Sequence, residues 1–296
     1  MLAHAAATAE RDLALDSASQ PWDAAAAGWD QHSDLIHEWL KQITQTMFDD
    51  ARISIGARVL DVAAGAGDQT LDIARRVGVG GWVLATDVSP AILALAQKNA
   101  EAAGLRQVRT QVADAESLGL AGSDFDAAVC RLGLMFCRCP LSALQGICAA
   151  LRPQGRLSAL VFGRPEHNPC LSIAFATARQ HAGLAEDSAT STSWALEKGS
   201  LMSLGKPGLL EELLQSAGFV DVALRYVAAP FYASSAAHYV DFLRASASPL
   251  IEILAPLSSA AQQSAWDDMA QRLQVFGTKA GWTGPNELLR CIATRP

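Results

Sequence analysis

The sequence predicts an α/β protein with a seven-stranded, doubly wound sheet under a helical cap, and three observations lead to this fold class. Short apolar runs alternate with segments of helical periodicity between residues 58 and 162, which is typical of βαβ units and a parallel sheet. Two further strand patterns follow, and long insertions with helical periodicity precede them. Half of the 296 residues are hydrophobic and 18% are charged, so the chain can bury a full core and is not intrinsically disordered.

The core elements follow from apolar runs and from helix start and stop signals. The predicted strands span residues 58–62, 83–86, 108–113, 125–130, 156–162, 220–227 and 287–293. The predicted core helices span residues 70–77, 90–103, 141–151 and 209–217. Ser89 is a preferred capping residue with Pro90 at the first helical position, and Gly104 stops the same helix, so both ends of the second helix are defined.

The segments outside this core predict a helical cap. Residues 22–49 carry apolar side chains at helical spacing, and helical patterns recur over 171–181 and 239–276. Long loops are usually functional, and open α/β sheets bind ligands beyond the carboxyl ends of their strands, so we expect the cap to cover that edge. The predicted division is a flexible lead-in (1–20), N-terminal cap helices (21–50), a ligand-binding core (51–162), a helical insertion (163–205), a core continuation (206–229), a second helical insertion (230–283) and the last core strand (284–296).

Composition and charge exclude several classes of protein. The net charge is −7 and the isoelectric point is about 5.3, which argues against a nucleic-acid partner, because phosphate binding requires clustered Lys and Arg. No apolar run approaches the roughly 18 residues of a membrane span, and the first 20 residues lack a signal-peptide pattern. We therefore expect a cytoplasmic protein without a membrane partner. The six cysteines form no CxxC pair or zinc pattern, which predicts reduced thiols and no metal site.

The most informative segment, residues 59–70, reads VLDVAAGAGDQT. A strand delivers Asp61 at its end, a turn of small residues follows, and a helix begins after the turn. Gly65 and Gly67 let the backbone approach a ligand closely, and Asp61 can accept a hydrogen bond from a cationic or hydroxylated group. The dinucleotide pattern GxGxxG requires a third glycine where Thr70 stands, so a different nucleotide cofactor is indicated.

Acidic residues also follow the next two strands. Asp87 lies 26 residues after Asp61, and Asp114 lies 27 residues after Asp87. An acid at the end of the second strand can accept hydrogen bonds from both ribose hydroxyls, and Asp114 can accept from an adenine amine. Asp114 can instead cap a helix over residues 115–118. Three aligned acids fit an adenosine with a charged tail.

These acids, the loop and the segment CRLGLMF at residues 130–136 resemble class I S-adenosylmethionine-dependent methyltransferases, and the form Asp-Val-Ala-x-Gly-x-Gly-Asp resembles the ubiquinone/menaquinone C-methyltransferase-like branch. The resemblance implies a Rossmann-like, mostly parallel sheet with an antiparallel last strand. It implies S-adenosylmethionine as cofactor and S-adenosylhomocysteine as product. The implied cofactor contacts are Asp61 with Ala63, Gly65 and Gly67 at the amino-acid tail, Asp87 and Val88 at the ribose, Asp114 and Ala115 at the adenine, and Arg131 and Leu132 at the sulfonium end. Arg131 can instead pair with a site carboxylate.

Candidates for the acceptor side come from the cap and from the loops at the same edge. His167 follows the fifth strand and is the first candidate for a catalytic base, although a solvated loop histidine at a helix start is the alternative. The candidate substrate and lid residues are Trp22, Trp29, His32, Met135 and Tyr239. Trp22 and Trp29 lie seven residues apart on one helical face and can close over a ligand together. Core packing is the alternative for each aromatic residue.

The sequence therefore predicts a methyltransferase that acts on oxygen or carbon of a small hydrophobic acceptor, such as a phenol, a quinol or another secondary metabolite. An acidic chain with an apolar cap suits a small molecule better than a polymer. The segment after the fourth strand lacks the Asn/Asp-Pro-Pro-Tyr signature of base amine methylation. The alternatives are a macromolecular methyltransferase acting on tRNA, rRNA or protein, and a non-methylating protein that uses the same cofactor site. The chain is expected to be a monomer or a homodimer.

Overall fold

A computed structural model describes residues 19–122, 124–184 and 193–296 of the chain. The described part begins with two helices, α1 over residues 19–31 and α2 over Ser33–Asp50. Nearly all of the predicted lead-in, 1–20, lies outside the described residues. Helices α1 and α2 occupy the segment for which apolar spacing predicts cap helices.

Alternating strands and helices follow in the predicted order. They are β1 (Arg58–Val62), α3 (Asp68–Val77), β2 (Trp82–Asp87), α4 (Pro90–Ala102), β3 (Val108–Val112), β4 (Phe125–Arg131), α5 (Pro140–Ala150), β5 (Leu151–Phe162), α6 (Pro169–His181), α7 (Leu209–Ser216) and β6 (Val220–Ala228). The chain then forms β7 (Phe231–Ala233), α8 (Ala236–Ser246), α9 (Ser248–Leu254), α10 (Ser259–Leu273), β8 (Gly277–Thr278), β9 (Gly281–Gly284) and β10 (Glu287–Thr294).

The main sheet has seven strands in the order β3-β2-β1-β4-β5-β10-β6. The pairs from β3 through β5 are parallel, whereas β10 is antiparallel to both of its neighbours. From β1 the chain adds β2 and β3 on one side of the sheet and then returns to add β4 on the other side of β1. The carboxyl ends of β1 and β4 therefore flank the crevice where open α/β sheets bind ligands. The expected Rossmann-like methyltransferase topology, with its antiparallel last strand, is confirmed.

Local sequence signals account for the elements that frame this crevice. The strands β1 and β2 are buried along almost their whole length, as expected of central parallel strands covered on both faces. The hydroxyl of Ser89 accepts the backbone N–H of Ile92 at the start of α4, and Pro90 occupies the first helical position, as the sequence predicts. Both features fix the point at which the chain leaves the carboxyl end of β2.

The cap consists of α1, α2, α6 and α8 to α10, together with a second sheet of three strands in the order β7-β9-β8. Helical periodicity did not predict this sheet. Its strands are two to four residues long, too short to show alternation. Within the cap, the ring of Tyr239 stacks on Trp282 with ring centroids 4.5 Å apart. No helix among the described residues is long and apolar enough to span a membrane.

Candidate active site

A cavity of about 620 Å³ lies between the carboxyl ends of the first four strands and the cap. Its core side follows the ends of β1, β2, β3 and β4, and consists of Ala63, Ala64, Gly65, Ala66, Asp68, Gln69, Asp87, Val88, Ala113, Asp114, Ala115, Glu116, Arg131, Leu132 and Gly133. Its cap side includes Pro21, Trp22, Trp29, Ser33, Ile36, Trp39, Leu40, Phe136, Phe242, Ser248, Pro249 and Glu252. The cavity therefore joins two chemically different walls.

In the loop after β1, the two glycines have different structural roles. Ala63, Gly65 and Gly67 all have positive φ angles, of 54°, 59° and 91°. A Cβ atom built at Gly65 has no heavy atom within 4 Å, whereas one at Gly67 would lie 2.8 Å from Cβ of Ala96 in α4. Gly65 therefore leaves open space on the cavity side, and Gly67 lets the loop pack on α4.

Asp61 lies inside the core and does not line the cavity. Its side chain is fully buried, and it accepts hydrogen bonds of 2.5 Å from Nε2 of Gln69 and from the hydroxyl of Thr70. Burial raises the pKa of Asp61 to about 7, while the hydrogen bond from Thr70 and the charge of Arg131 act in the opposite direction. Asp61 therefore fixes the first turn of α3 beneath the loop.

Asp87 connects the loop to the start of α4 and also lines the cavity. One carboxylate oxygen accepts the backbone N–H of Gly65 at 3.0 Å, and the other accepts the backbone N–H of Ser89 at 3.0 Å. Burial raises the pKa of Asp87, and these backbone hydrogen bonds lower it. Each carboxylate oxygen has a further lone pair for a ligand hydroxyl. Val88 lines the same part of the cavity.

Asp114 both caps a short helix and faces the cavity, so the two interpretations of this residue are compatible. Its carboxylate accepts the backbone N–H of Glu116 at 2.9 Å, at the start of the 3-10 helix Ala115–Ser117. Asp114 and Ala115 also line the cavity. The carboxylate of Glu116 accepts the backbone N–H of Arg138 at 2.6 Å, which joins this end of the cavity to the segment after β4.

Arg131 pairs with a site carboxylate, as one interpretation of the sequence allows. Its guanidinium donates to Asp68 at 2.5 Å and to the hydroxyl of Thr44 at 2.9 Å. Arg131 therefore links the end of β4 to the first residue of α3 and to α2. Leu132, which follows it with a φ angle of 58°, also lines the cavity.

Two acceptor atoms beside this ion pair are buried without a hydrogen-bond partner among the described residues. They are Oδ2 of Asp68 and Oε1 of Gln69, and both residues line the cavity. Buried polar atoms are nearly always hydrogen-bonded in folded proteins, so such atoms at a cavity wall call for a ligand. Two acceptors of which one is a carboxylate oxygen suit a cationic donor such as an ammonium group.

The cap wall is aromatic. Trp22 contacts Phe136 edge-to-face with centroids 4.8 Å apart, and the indole N–H of Trp39 donates to the carbonyl of Ala229 at 2.9 Å. Trp29 also lines the cavity, and its indole nitrogen is buried without a hydrogen-bond partner among the described residues. The predicted pair Trp22 and Trp29 is therefore brought to one cavity.

Besides Asp61 and Gly67, four predicted residues do not reach the cavity wall. His167 is half-exposed and binds Glu287 with Nδ1 2.7 Å from the carboxylate, so its side chain is held outside the cavity wall. Met135 and Tyr239 are buried in the core and the cap, and His32 packs edge-to-face on Phe242 with centroids 5.6 Å apart. The position of His167 in a loop at this sheet edge did not predict where its side chain lies, because that side chain binds Glu287 on β10, which is far away in the sequence.

Sequence reasoning missed several residues of the wall. Gln69 and Asp68 lie directly after the glycine loop, and this position at the start of α3 could have identified them as wall residues. Glu252 lies in the second insertion, where no motif marks it.

Among the described residues, no group of three or more potential metal ligands occurs. All six cysteines are free, and five of them are buried.

Known proteins resemble this chain in sequence and in fold. The family described as "Methyltransferase domain" matches residues 59–155. The ubiquinone/menaquinone biosynthesis C-methyltransferase of Coxiella burnetii is 30% identical over 171 residues, which cover 56% of this chain and 67% of that protein. The crystal structure of the YcgJ protein of Bacillus subtilis has a TM-score of 0.54 at 17% identity and covers 88% of this chain and 98% of its own. Haemonchus contortus phosphoethanolamine N-methyltransferase 2, in complex with S-adenosyl-L-methionine, has a TM-score of 0.50 at 17% identity, over 90% of this chain and 53% of its own.

The sheet topology and the sequence match define the class of this protein: it is a methyltransferase that uses S-adenosylmethionine. Within that class, the chain belongs to the family that includes the ubiquinone/menaquinone biosynthesis C-methyltransferases.

Proposed function

We propose that the cavity binds S-adenosylmethionine along its core side. The residues present fit this cofactor on three counts. Gly65 leaves open space where any side chain would intrude. Asp68 and Gln69 each have one buried acceptor atom without a hydrogen bond from a described residue, and Oδ2 of Asp68 lies 3.9 Å from Nδ1 of His37. Asp87 retains lone pairs for the ribose hydroxyls. Of the described charged residues in the wall, five are carboxylates and two are guanidiniums. This excess of negative charge favours a cationic ligand.

The assignment of cofactor parts follows the order of the strand ends. Asp68, Gln69 and the loop at Gly65 would hold the amino-acid tail, and Asp87 with Val88 would hold the ribose. Asp114 with Ala115 would hold the adenine, and Leu132 would line the sulfonium end. Asp61 and Gly67 act from behind the wall, and the guanidinium of Arg131, although it lines the wall, is bonded to Asp68. We assign all three residues to positioning the loop and Asp68.

When bound, S-adenosylmethionine supplies a methyl group activated by the positive sulfur to which it is attached. The protein then has to align the acceptor with that methyl group and exclude water. Leu40, Ile36 and the aromatic residues of the cap line the space opposite the core side. These apolar side chains orient an acceptor by shape and keep the reacting atoms dry.

We propose that the acceptor is a small hydrophobic molecule methylated on oxygen or carbon. The observation that carries this proposal is the aromatic cap wall formed by Trp22, Trp29, Trp39, Phe136 and Phe242. A cavity of about 620 Å³ with such a wall lies within the size range of small-molecule sites, about 300–1,000 Å³. The acidic composition of the chain disfavours an RNA acceptor, because RNA binding relies on basic surface.

The test is methyl transfer from S-adenosylmethionine carrying a labelled methyl group, with product detection by mass spectrometry. Phenols, quinols, amines, bulk tRNA and a protein lysate are offered separately. The proposal predicts labelled phenol or quinol and unlabelled polymers. Label found only in RNA or protein would contradict it in favour of the macromolecular alternative. Binding of cofactor without transfer to any acceptor would contradict it in favour of a non-methylating protein.

A further inference from the structure

The aromatic wall of the cap is supported from behind by a residue that does not itself line the cavity. Phe231 begins β7 in the second sheet and is buried, with 1% of its surface exposed. Its ring stacks on Phe242 with centroids 5.0 Å apart and packs on Trp39 with centroids 5.2 Å apart. Both of these partners line the cavity. One buried ring therefore contacts two of the aromatic residues in the cap wall.

Trp39 and Phe242 depend on Phe231 to different degrees. Trp39 has a polar anchor, because its indole N–H donates to the carbonyl of Ala229, and its ring also packs on Phe162 with centroids 6.3 Å apart. A phenylalanine side chain forms no such hydrogen bond, so packing alone determines where the ring of Phe242 lies. Phe231 therefore supports Phe242 more exclusively than it supports Trp39.

Among the described ring contacts of Phe242, the one with Phe231 is the closest. The centroid of Phe242 lies 5.0 Å from that of Phe231, 5.6 Å from that of His32 and 6.3 Å from that of Tyr239. The contact with Phe231 is stacked, whereas His32 meets Phe242 edge-to-face. The face of Phe242 thus rests on Phe231, and loss of the Phe231 ring would leave room for Phe242 to move away from the cavity.

The second sheet holds Phe231 in place. Phe231 pairs with Gly284 of β9, and its ring contacts Tyr239 with centroids 5.1 Å apart. Tyr239 in turn stacks on Trp282 of β9, whose indole N–H donates to the carbonyl of Leu273 at 2.8 Å. Protein interiors are close-packed and transmit strain instead of absorbing it. The three-stranded sheet is therefore a rigid support for the aromatic wall of the cavity.

We propose that Phe231 is a specificity-determining residue, which limits the size of the acceptor by holding Phe242 and Trp39 in the cavity wall. This inference rests on the proposed function, because it takes the cap side of the cavity as the acceptor site. With Phe231 in place, the ring of Phe242 cannot retreat, and the acceptor space has a fixed depth. Removal of the Phe231 ring leaves a volume behind the wall that neighbouring side chains fill only in part. Phe242 can settle into that volume, which enlarges the acceptor space.

The experiment measures size selectivity on the full chain loaded with S-adenosylhomocysteine. The probes are aniline, 1-naphthylamine and N-phenyl-1-naphthylamine, which are uncharged at neutral pH and differ mainly in volume. Calorimetry gives their dissociation constants. We expect Phe231→Ala to raise the affinity for the largest amine relative to aniline at least tenfold over wild type, and Phe231→Leu to raise it less. Phe219→Ala is the matched control and should keep the wild-type ratio, because Phe219 is similarly buried but does not line the cavity.

The outcomes separate specificity from stability and from the proposed function. A purely structural role for Phe231 would lower the Tm of Phe231→Ala and leave the affinity ratio of the three amines unchanged, which would overturn the inference while the cofactor site stands. If Phe231→Ala does not fold, the ratio measured on Phe231→Leu decides by the same criterion. Absence of binding of any amine to the loaded wild-type chain would overturn the inference together with the apolar acceptor site. Failure of S-adenosylhomocysteine to bind would overturn the proposed function as a whole.

Discussion

Gly65 and Gly67 show how two glycines of one short loop serve different purposes. Both have positive φ angles, yet a side chain at Gly67 would collide with α4, whereas one at Gly65 would enter open space beside the cavity. The sequence pattern identifies the turn but not this difference, because the neighbour of Gly67 is Ala96, some 30 residues away in the chain. Only the assembled fold separates the glycine needed for packing from the glycine that leaves open space beside the cavity.

Gly65→Val should abolish binding of S-adenosylmethionine while the chain still folds. A branched side chain there fills the space assigned to the cofactor, and the strained φ angle adds a cost in stability of order 1–2 kcal/mol. Gly78→Val is the matched control, because Gly78 also has a positive φ angle and open space around it but does not line the cavity. Calorimetry and circular dichroism of both variants provide the measurement. Normal binding by a folded Gly65→Val protein would refute the loop assignment.

Asp87→Ala should weaken S-adenosylmethionine binding tenfold to a hundredfold. The substitution removes the carboxylate that faces the cavity and also frees the N–H of Gly65, and hydrogen bonds to charged groups contribute about 1.5–3 kcal/mol. Asp267→Ala on the exposed surface of α10 is the control, and titration calorimetry compares the two dissociation constants. Equal affinities for both variants would exclude Asp87 from the site.

Asp61 should make stability depend on pH. Burial raises its pKa to about 7 from a reference value of 3.8, so between these pH values the folded chain keeps a proton that the unfolded chain has lost. The free energy of unfolding therefore falls as pH rises through this window. Asp61→Asn cannot titrate, and urea unfolding of the cofactor-free proteins should show wild type losing stability relative to the variant from about pH 4 to about pH 7. Parallel curves of unfolding free energy against pH for the two proteins would contradict the raised pKa of Asp61.

At the scale of elements, helix α1 forms one wall of the cavity and is held by backbone packing. A Cβ atom at Gly28 would lie 1.7 Å from the carbonyl oxygen of Ala245 in α8. The carboxylate of Asp23 binds the hydroxyl of Ser89 and the backbone N–H of Ala91, at the start of α4. Helix α1 therefore bridges α8 in the cap and α4 beside the glycine loop, and these contacts hold it over the cavity.

Gly28→Leu should loosen this wall. Overpacking of a close contact costs about 1–3 kcal/mol, so we expect a lower Tm and faster release of S-adenosylhomocysteine, measured by stopped-flow tryptophan fluorescence. Ala27→Leu on the exposed side of α1 provides the control. An unchanged release rate in a destabilised Gly28→Leu protein would show that α1 does not gate the cavity.

The sequence predicts the elements of the core far better than those of the cap. Each core strand is an apolar run that ends at an acid or a turn, and Ser89 and Pro90 mark a helix start that the structure reproduces. The cap sheet was not predicted, because β8 has only two residues and gains its pairing from β9. His167 likewise depends on a residue about 120 positions away, and pairings at such distances leave no local pattern.

At the scale of the whole molecule, the fold brings an acidic wall at the strand ends and an aromatic cap wall to one cavity. The strand-end acids made the first wall predictable, since parallel strands must end at the same edge. The second wall depends on how α1, α8 and α9 meet, and only their apolar character was evident from the sequence. In the proposed function the acceptor contacts this second wall, whose composition is evident only from the assembled structure.

Every proposal above depends on binding of S-adenosylmethionine in this cavity, and isothermal titration with S-adenosylmethionine and then with S-adenosylhomocysteine measures that binding. We expect micromolar binding of both ligands at one site per chain, with the demethylated product bound as tightly as the cofactor or more tightly. Absence of heat for either ligand, from a protein that is folded by circular dichroism, would contradict it.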